Sequence, residues 1–388
     1  MSARQLRRTL LKTAAAAAFL GASAAVLPMF STPSRRQTPQ SCPSTDLSGS
    51  EKELSISSWP AYVDPVDDPD STLHGFERQT GITVHLTEDI TDAQLFFAKV
   101  LNQLGACQPV NRDLMILNNP LAARMIALGW LQELDHSAMP NVTANLLPGL
   151  RQTVFDPGRR YCLPWQSGFT GIAYNAALVP EVGSVGELLT RDDLRGRITL
   201  LSDMEDTMPF MLRLVGADPS RFDDDDWHSA IELLVSTRRR GQIKAFNGSE
   251  FRGDLVAGNI ASCLAWSGDV AQLQLDNPDI RFVAPEEGLV LWCDNLMIPN
   301  RARHKANAEK WINHYYDPEV AARLAAYVYG ICPVAGAREA MQGIAPALAD
   351  NPLIFPSEEL LSRSFSMMPL NETRNRRYTH DFTEAMGG

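Results

Sequence analysis

Apolar and polar positions alternate along Leu54-Ser-Ile-Ser-Ser-Trp59, the pattern of a strand with one buried face, and Pro60 ends it. Phe76-Glu-Arg-Gln-Thr-Gly81-Ile-Thr-Val-His-Leu86 predicts a helix closing on a C-cap glycine and a second strand following it. From Asp92 to Leu104 the apolar residues Leu95, Phe96, Val100 and Leu101 recur at helical spacing. Asp113-Leu-Met-Ile-Leu117 then predicts a third strand with Asn118-Asn119-Pro120 as its exit loop. Strands and helices in this order imply right-handed crossovers and an α/β fold with a mostly parallel sheet. Trp59 and Tyr62 fall at the carboxyl end of the first strand, where open α/β sheets place their ligands.

The pattern continues through a second half. Tyr161-Cys-Leu-Pro-Trp165 and Thr170-Gly-Ile-Ala-Tyr-Asn175 predict a crossing into another lobe. A strand through Leu194–Leu201 follows, and Ser202-Asp-Met-Glu-Asp-Thr207 caps a helix reaching about Val215. The acids 223–226 are a solvated helix start that complements the helix dipole. Ile260–Trp266 is a strand leaving through Ser267-Gly268-Asp269. Ile280–Ala284 and Val290–Ile298 carry the chain back, Lys305–Tyr315 and Pro318–Val328 are helices, and the rest wraps across both lobes. The implied division is 53–166 with about 286–332 in lobe 1, and 167–285 with about 333–388 in lobe 2.

One stretch carries chemistry. Gly288-Leu-Val-Leu-Trp-Cys-Asp-Asn-Leu-Met-Ile-Pro299 reads as a buried strand holding a tryptophan and an aspartate two residues apart. Period-two geometry points Trp292 and Asp294 the same way. An indole face and a carboxylate converging on one spot form a receptor for an organic cation. The plainer account is a core tryptophan beside an aspartate that caps something.

Composition changes the picture at the N-terminus. Arg7-Arg8 precedes an Ala-rich apolar run and Ala22-Ser-Ala24, the layout of a twin-arginine export signal over 1–24. Residues 25–52, rich in Pro, Ser and Thr, imply a disordered leader. Loss of the four basic residues in 1–24 takes the formal net charge from −11 to −15, a surface that disfavours nucleic acid and suits cationic solutes. No stretch after the signal could span a bilayer, so the chain reads as an exported, soluble protein. The six cysteines show no metal-site or CxxC spacing, and no specific disulfide is predicted.

Trp59-x-x-Tyr62, Phe76-Glu-x-x-Thr-Gly-Ile-x-Val, Leu163-Pro-Trp with Tyr174-Asn175, Trp266-Ser-Gly and Trp292-x-Asp294-x-Leu-x-Ile-Pro together resemble the spermidine/putrescine-binding proteins of bacterial ABC importers. The resemblance runs from about Leu54 into the 330s. It implies the type II periplasmic-binding-protein fold, two lobes of mixed, mostly parallel sheet flanked by helices, with a polyamine in the cleft between them. Carried over by position, Trp59, Tyr62, Trp266 and Trp292 are aromatic walls, Asp294 the central carboxylate, and Asn118 a polar contact. The family's acidic pair at the second-lobe helix falls on Met204 and Thr207, so Thr207 takes a ligand position. The neighbouring acids Asp203, Glu205 and Asp206 are then expected to turn away by about 100° per residue. Pro120 and Ile331 stand where the family has further aromatics. The resemblance further implies a monomer in the periplasm, permease subunits as partners and no cofactor.

Enzymatic readings find little footing. HExxH, nucleophile-elbow, Walker and GxGxxG patterns are missing from the sequence, and the seven histidines are scattered. The stronger rivals are binders of thiamine, a quaternary amine or ferric ion on the same fold, with an exported hydrolase behind them. Tyr327 and Tyr329 lie close together for a ferric site but lack an obvious third ligand.

Overall fold

Ten strands join in one hydrogen-bonded sheet: β1 Glu53–Ser57, β2 Thr83–Thr87, β3 Leu114–Asn118, β4 Cys162–Asn175, β5 Ile198–Leu201, β6 Ile243–Asn247, β7 Ser262–Trp266, β8 Ile280–Val283, β9 Leu289–Met297 and β10 Ser364–Phe365. Their order is β2-β1-β3-β9-β4-β7-β5-β6, with β8 on β4 and β10 on β9. This is a computed structural model, and it describes residues 42, 44–65 and 67–387. The export signal read over 1–24 lies outside the described residues.

Each half is built on parallel strands, β2-β1-β3 in the first and β7-β5-β6 in the second. Between them β4 and β9 run antiparallel to β7 and β3 and to each other, while the short β10 joins β9 in parallel. They are long enough to serve both halves. Their pairing shifts register once, between Pro164 and Ser167.

Side-chain periodicity sorts the cores. Alternate residues of β3 enter opposite layers, Leu114 and Ile116 with Leu54 and Trp311, Met115 and Leu117 with Phe96 and Phe97. A separate cluster fills the second half around Leu200, Phe210, Trp227 and Leu264. The tail after 332 divides its packing. Val334, Ala337, Met341 and Ile354 join the first-half core, whereas Tyr378 and Phe382 join the second.

Local signals act as the residue types dictate. Gly81 takes φ +68° at the C-cap of Thr72–Thr80, a conformation that costs glycine little. The acid run opens helix Asp224–Arg239, with Asp223 and Asp226 closing a capping box. Two expected loops are helices instead, Asn119–Ala127 and Ser267–Asp276. Pro120 fits the first turn of its helix, where a missing N–H costs nothing.

Two expectations need correction. Cys42 and Cys107 form a disulfide across 65 residues, with Cα atoms 5.5 Å apart. Sequence spacing carries no trace of it, because the fold alone brings the arm to the end of helix Ala93–Gly105. The described part of the supposed leader is also ordered. Leu47 N donates to Arg303 O at 2.7 Å, and Asp46 and Ser48 accept from the amides of Ala306 and Asn307. Helix Lys305–Tyr315 has no side-chain cap of its own at His304, so the arm's polar residues cap it.

His304 locks the arm further. Its Nδ1 lies 2.9 Å from Asp113 Oδ2 and its Nε2 2.9 Å from Glu51 Oε2, so both nitrogens donate and the ring is a cation. Burial pulls its pKa down, but the hydrogen bonds to Glu51 and Asp113 prevail and raise it. The stability it contributes is full below the free histidine value and is lost as pH rises through the raised one. Exchange protection of the Ser50 and Glu51 amides, corrected for intrinsic rate, should therefore fall by up to about tenfold per pH unit between the free and the raised value and level off above it. Protection constant from pH 6 to 9 would contradict this.

Candidate functional site

The carboxyl ends of β1, β3, β5 and β7 and the middle of β9 open onto one cavity of about 610 Å³. Six of the seven residues expected at the site line it: Trp59, Tyr62, Asn118, Trp266, Trp292 and Asp294. Thr207 does not. It is fully buried, and its hydroxyl donates to Leu201 O at 2.7 Å. Thr207 shares the inward face of helix Met204–Leu214 with Met204, Met208 and Met211. The acids expected to turn away, Asp203, Glu205 and Asp206, line the cavity instead. Three acids within four residues directly after a strand were the available signal.

The rings form the walls. Trp59 donates from Nε1 to Ile116 O at 3.1 Å and meets Trp266 edge-on, centroids 5.8 Å apart. Trp266 in turn donates from Nε1 to Asp206 Oδ2 at 2.9 Å. All three cavity tryptophans are half-buried, packed against core on one side and exposed to the cavity on the other. Trp165 and Trp311, stacked at 5.1 Å, are by contrast wholly core. Trp292 lies over Gly168 so closely that a Cβ there would fall 2.3 Å from its ring. Gly168→Val should push that wall aside and weaken ligand binding roughly 2- to 30-fold, the worth of one ring on a cation. A titration showing unchanged affinity would remove Trp292 from the site.

Four carboxylates face this space: Asp203, Glu205, Asp206 and Asp294. A fifth, Asp269, is already paired with Arg252 at 2.6 Å. Asp206 accepts from the Thr170 hydroxyl and from Trp266. Burial, then the nearby Asp203 charge, nevertheless raise its pKa to about 7. Asp294 is likewise pushed to about 7, chiefly by burial, with Asp206 and Asp203 adding to the effect. Desolvation in the cleft also raises Asp203 and Glu205, which crowd each other. The Tyr62 hydroxyl opposes the rise at Asp294, yet it forms no hydrogen bond of ordinary geometry. Tyr62 Oη, Glu205 Oε2 and Trp292 Nε1 are all buried without a partner at this cavity, a costly state unless a ligand or water completes them.

The two halves are closed upon one another. Asn118 caps its helix through Oδ1 and donates from Nδ2 to Asp203 Oδ2 at 3.3 Å. Ser202 Oγ donates to Asp92 Oδ2 at 2.7 Å, and Gln272 Nε2 reaches Ala61 O and Tyr327 O at 3.2 and 3.0 Å. Among the described residues no group of three His, Cys, Asp or Glu side chains could hold a metal ion.

Residues 72–356 match the family described as bacterial extracellular solute-binding protein. The chain belongs to this family. A spermidine/putrescine-binding periplasmic protein of Haemophilus influenzae is 28% identical over 308 residues, 79% of this chain and 81% of that one. A putrescine-binding periplasmic protein of Escherichia coli is 27% identical over 365 residues, 88% and 93% of the two chains. A solved structure of a putative spermidine/putrescine ABC transporter protein from Listeria monocytogenes superposes with a TM-score of 0.75 at 26% identity, covering 87% of this chain and 99% of that chain. As a solute-binding protein the chain is a transport component and not an enzyme. Its two-lobe α/β fold is the one that the order of its strands and helices implied.

Proposed function

We propose that this protein captures a linear polyamine of the putrescine/spermidine class in the periplasm and hands it to the permease of an ABC importer. The observation that carries this reading is the cluster of Asp203, Glu205, Asp206 and Asp294, four carboxylates of raised pKa enclosed by indole rings. A cluster of like charges in a half-dry cleft is unfavourable alone and favourable around ammonium groups. A monovalent cation such as thiamine or choline would leave most of it uncompensated.

Each ring over an ammonium contributes about 0.5–2 kcal/mol and each buried methylene about 0.8 kcal/mol. Three tryptophans and a four-carbon chain thus supply roughly 5–9 kcal/mol before association costs, and the ammonium–carboxylate pairs supply the remainder that micromolar binding, ~8 kcal/mol net, requires. The names of the relatives supply the same ligand class. The Cys42–Cys107 disulfide suits an oxidising compartment, consistent with export by a twin-arginine signal over 1–24. The lobes, 53–166 with 286–332 and 167–285 with part of the tail, close on the ligand by a hinge at β4 and β9. The protein acts as a monomer.

A thermal-shift panel of putrescine, cadaverine, spermidine, spermine, thiamine, choline and ferric citrate tests this. Diamines or polyamines should raise the melting temperature by several degrees at 100 Kd, where mass action adds about 2.7 kcal/mol. A rise with thiamine, choline or iron alone would defeat the proposal.

A further inference from the structure

Trp59 and Tyr62 flank a turn in which Ala61 takes φ +55°. A residue with a Cβ enters the left-handed region at a cost and stays there only where its neighbours hold it. Two side chains hold this one, from opposite halves of the molecule. Glu88, just after β2, accepts from Ala61 N at 2.7 Å. Gln272, on helix Ser267–Asp276 of the second half, donates from Nε2 to Ala61 O at 3.2 Å.

Gln272 is itself aimed. Its Oε1 accepts from Arg252 Nη2 at 3.1 Å, and Nη1 of the same guanidinium holds Asp269 at 2.6 Å. The Nε2 group also donates to Tyr327 O at 3.0 Å, in the last turn of helix Pro318–Val328. Arginine only donates and a carbonyl only accepts, so a flipped amide would lose all three bonds. Gly268 seats the Gln272 helix closely, since a Cβ there would fall 2.7 Å from Val328 O. Val270 of that helix packs in the second-half core and Tyr327 against the first, so the Gln272 bonds span the two halves.

We infer that Gln272, aimed by Arg252, is a positioning residue that fixes the Trp59–Tyr62 turn from the opposite half and thereby sets how long the ligand stays bound. The ligand class rests on the amine-binding reading above. The bonds form once the ligand has entered and the halves have met, so they act on release and leave entry alone. Gln272 acts on the turn rather than on the ligand, so its effect is the same for a short and a long amine.

Stopped-flow tryptophan fluorescence on the full mature chain, with putrescine and with spermidine, tests this. Gln272→Met keeps the length of the side chain but donates nothing. It should raise koff about five- to thirtyfold, the worth of two neutral hydrogen bonds, with kon within about twofold of wild type. Gln272→Glu sets a carboxylate against two carbonyl oxygens and should release both amines faster still. An unchanged koff in Gln272→Met, or an effect confined to one amine, would overturn the inference and leave amine binding intact. So would tighter binding by Gln272→Glu, the sign of direct contact with an ammonium. Wild-type protein that binds neither amine would overturn the amine reading and this inference with it.

Discussion

Asp206→Asn weakens amine binding by about ten- to a hundredfold, and Asp294→Asn does the same. A hydrogen bond to a charged group is worth about 1.5–3 kcal/mol, and each substitution removes the negative partner without changing the side chain's shape. Asp206 carries a second load, because it accepts from both Thr170 and Trp266. An asparagine there can accept through only one oxygen, so the Trp266 wall loosens as well. The unliganded protein should respond in the opposite sense. Each carboxylate is held near pKa 7 by burial and by its neighbours, so neutralising one relieves repulsion, and the apo melting temperature should hold or rise at pH 8. Lost affinity with undiminished stability separates a ligand contact from a structural one. Both acids reach one ligand, so their effects should not add in the double variant. Unchanged affinity in both single variants would place the site elsewhere.

The second large effect is on pH. Asp206 and Asp294 titrate near 7 in the folded apo protein and near 3.9 when unfolded. A raised folded pKa means that the native state holds more protons between those values. The stability these groups contribute is full below about pH 4 and is lost as pH rises through about 7. The apo protein should thus melt higher at pH 5.5 than at pH 8. Ligand binding runs the other way, because an ammonium ion prefers the ionised carboxylates and expels their protons. Affinity should fall about tenfold per protonated group per pH unit below 7. Calorimetry at pH 7 in buffers of different ionisation enthalpy should detect proton release on binding. Affinity independent of pH from 6 to 8 would mean that the acids are already ionised and hydrated in the free cleft.

Much of this was legible in the chain because it rests on local periodicity. The period-two run Leu54–Trp59, the C-cap at Gly81 and the apolar strand around Trp292 and Asp294 each declare themselves within a dozen residues. What stayed hidden depended on tertiary neighbours. Asp203, Glu205 and Asp206 face the cavity because Met204, Thr207 and Met208 take the core side of the same helix, and which face is inward is set by β5 and its partners. The helices after Asn118 and Trp266 looked like loops because Asn-Asn-Pro and Ser-Gly-Asp are turn residues. Here they occupy first turns, where Pro and capping polar groups are equally at home. The disulfide joins an arm of turn-forming composition to a helix end 65 residues away, a pairing no spacing rule contains. The arm's order has the same origin, since Asp46 and Ser48 find their partners on Lys305–Tyr315.

The most direct test is a crystal structure of the mature protein grown with a saturating amine. The account predicts ammonium nitrogens within about 3 Å of Asp206 and Asp294 oxygens, with methylenes stacked on Trp292 and Trp266. An amine bound elsewhere, with these acids hydrogen-bonded to one another or to water in a cleft left empty, would contradict it.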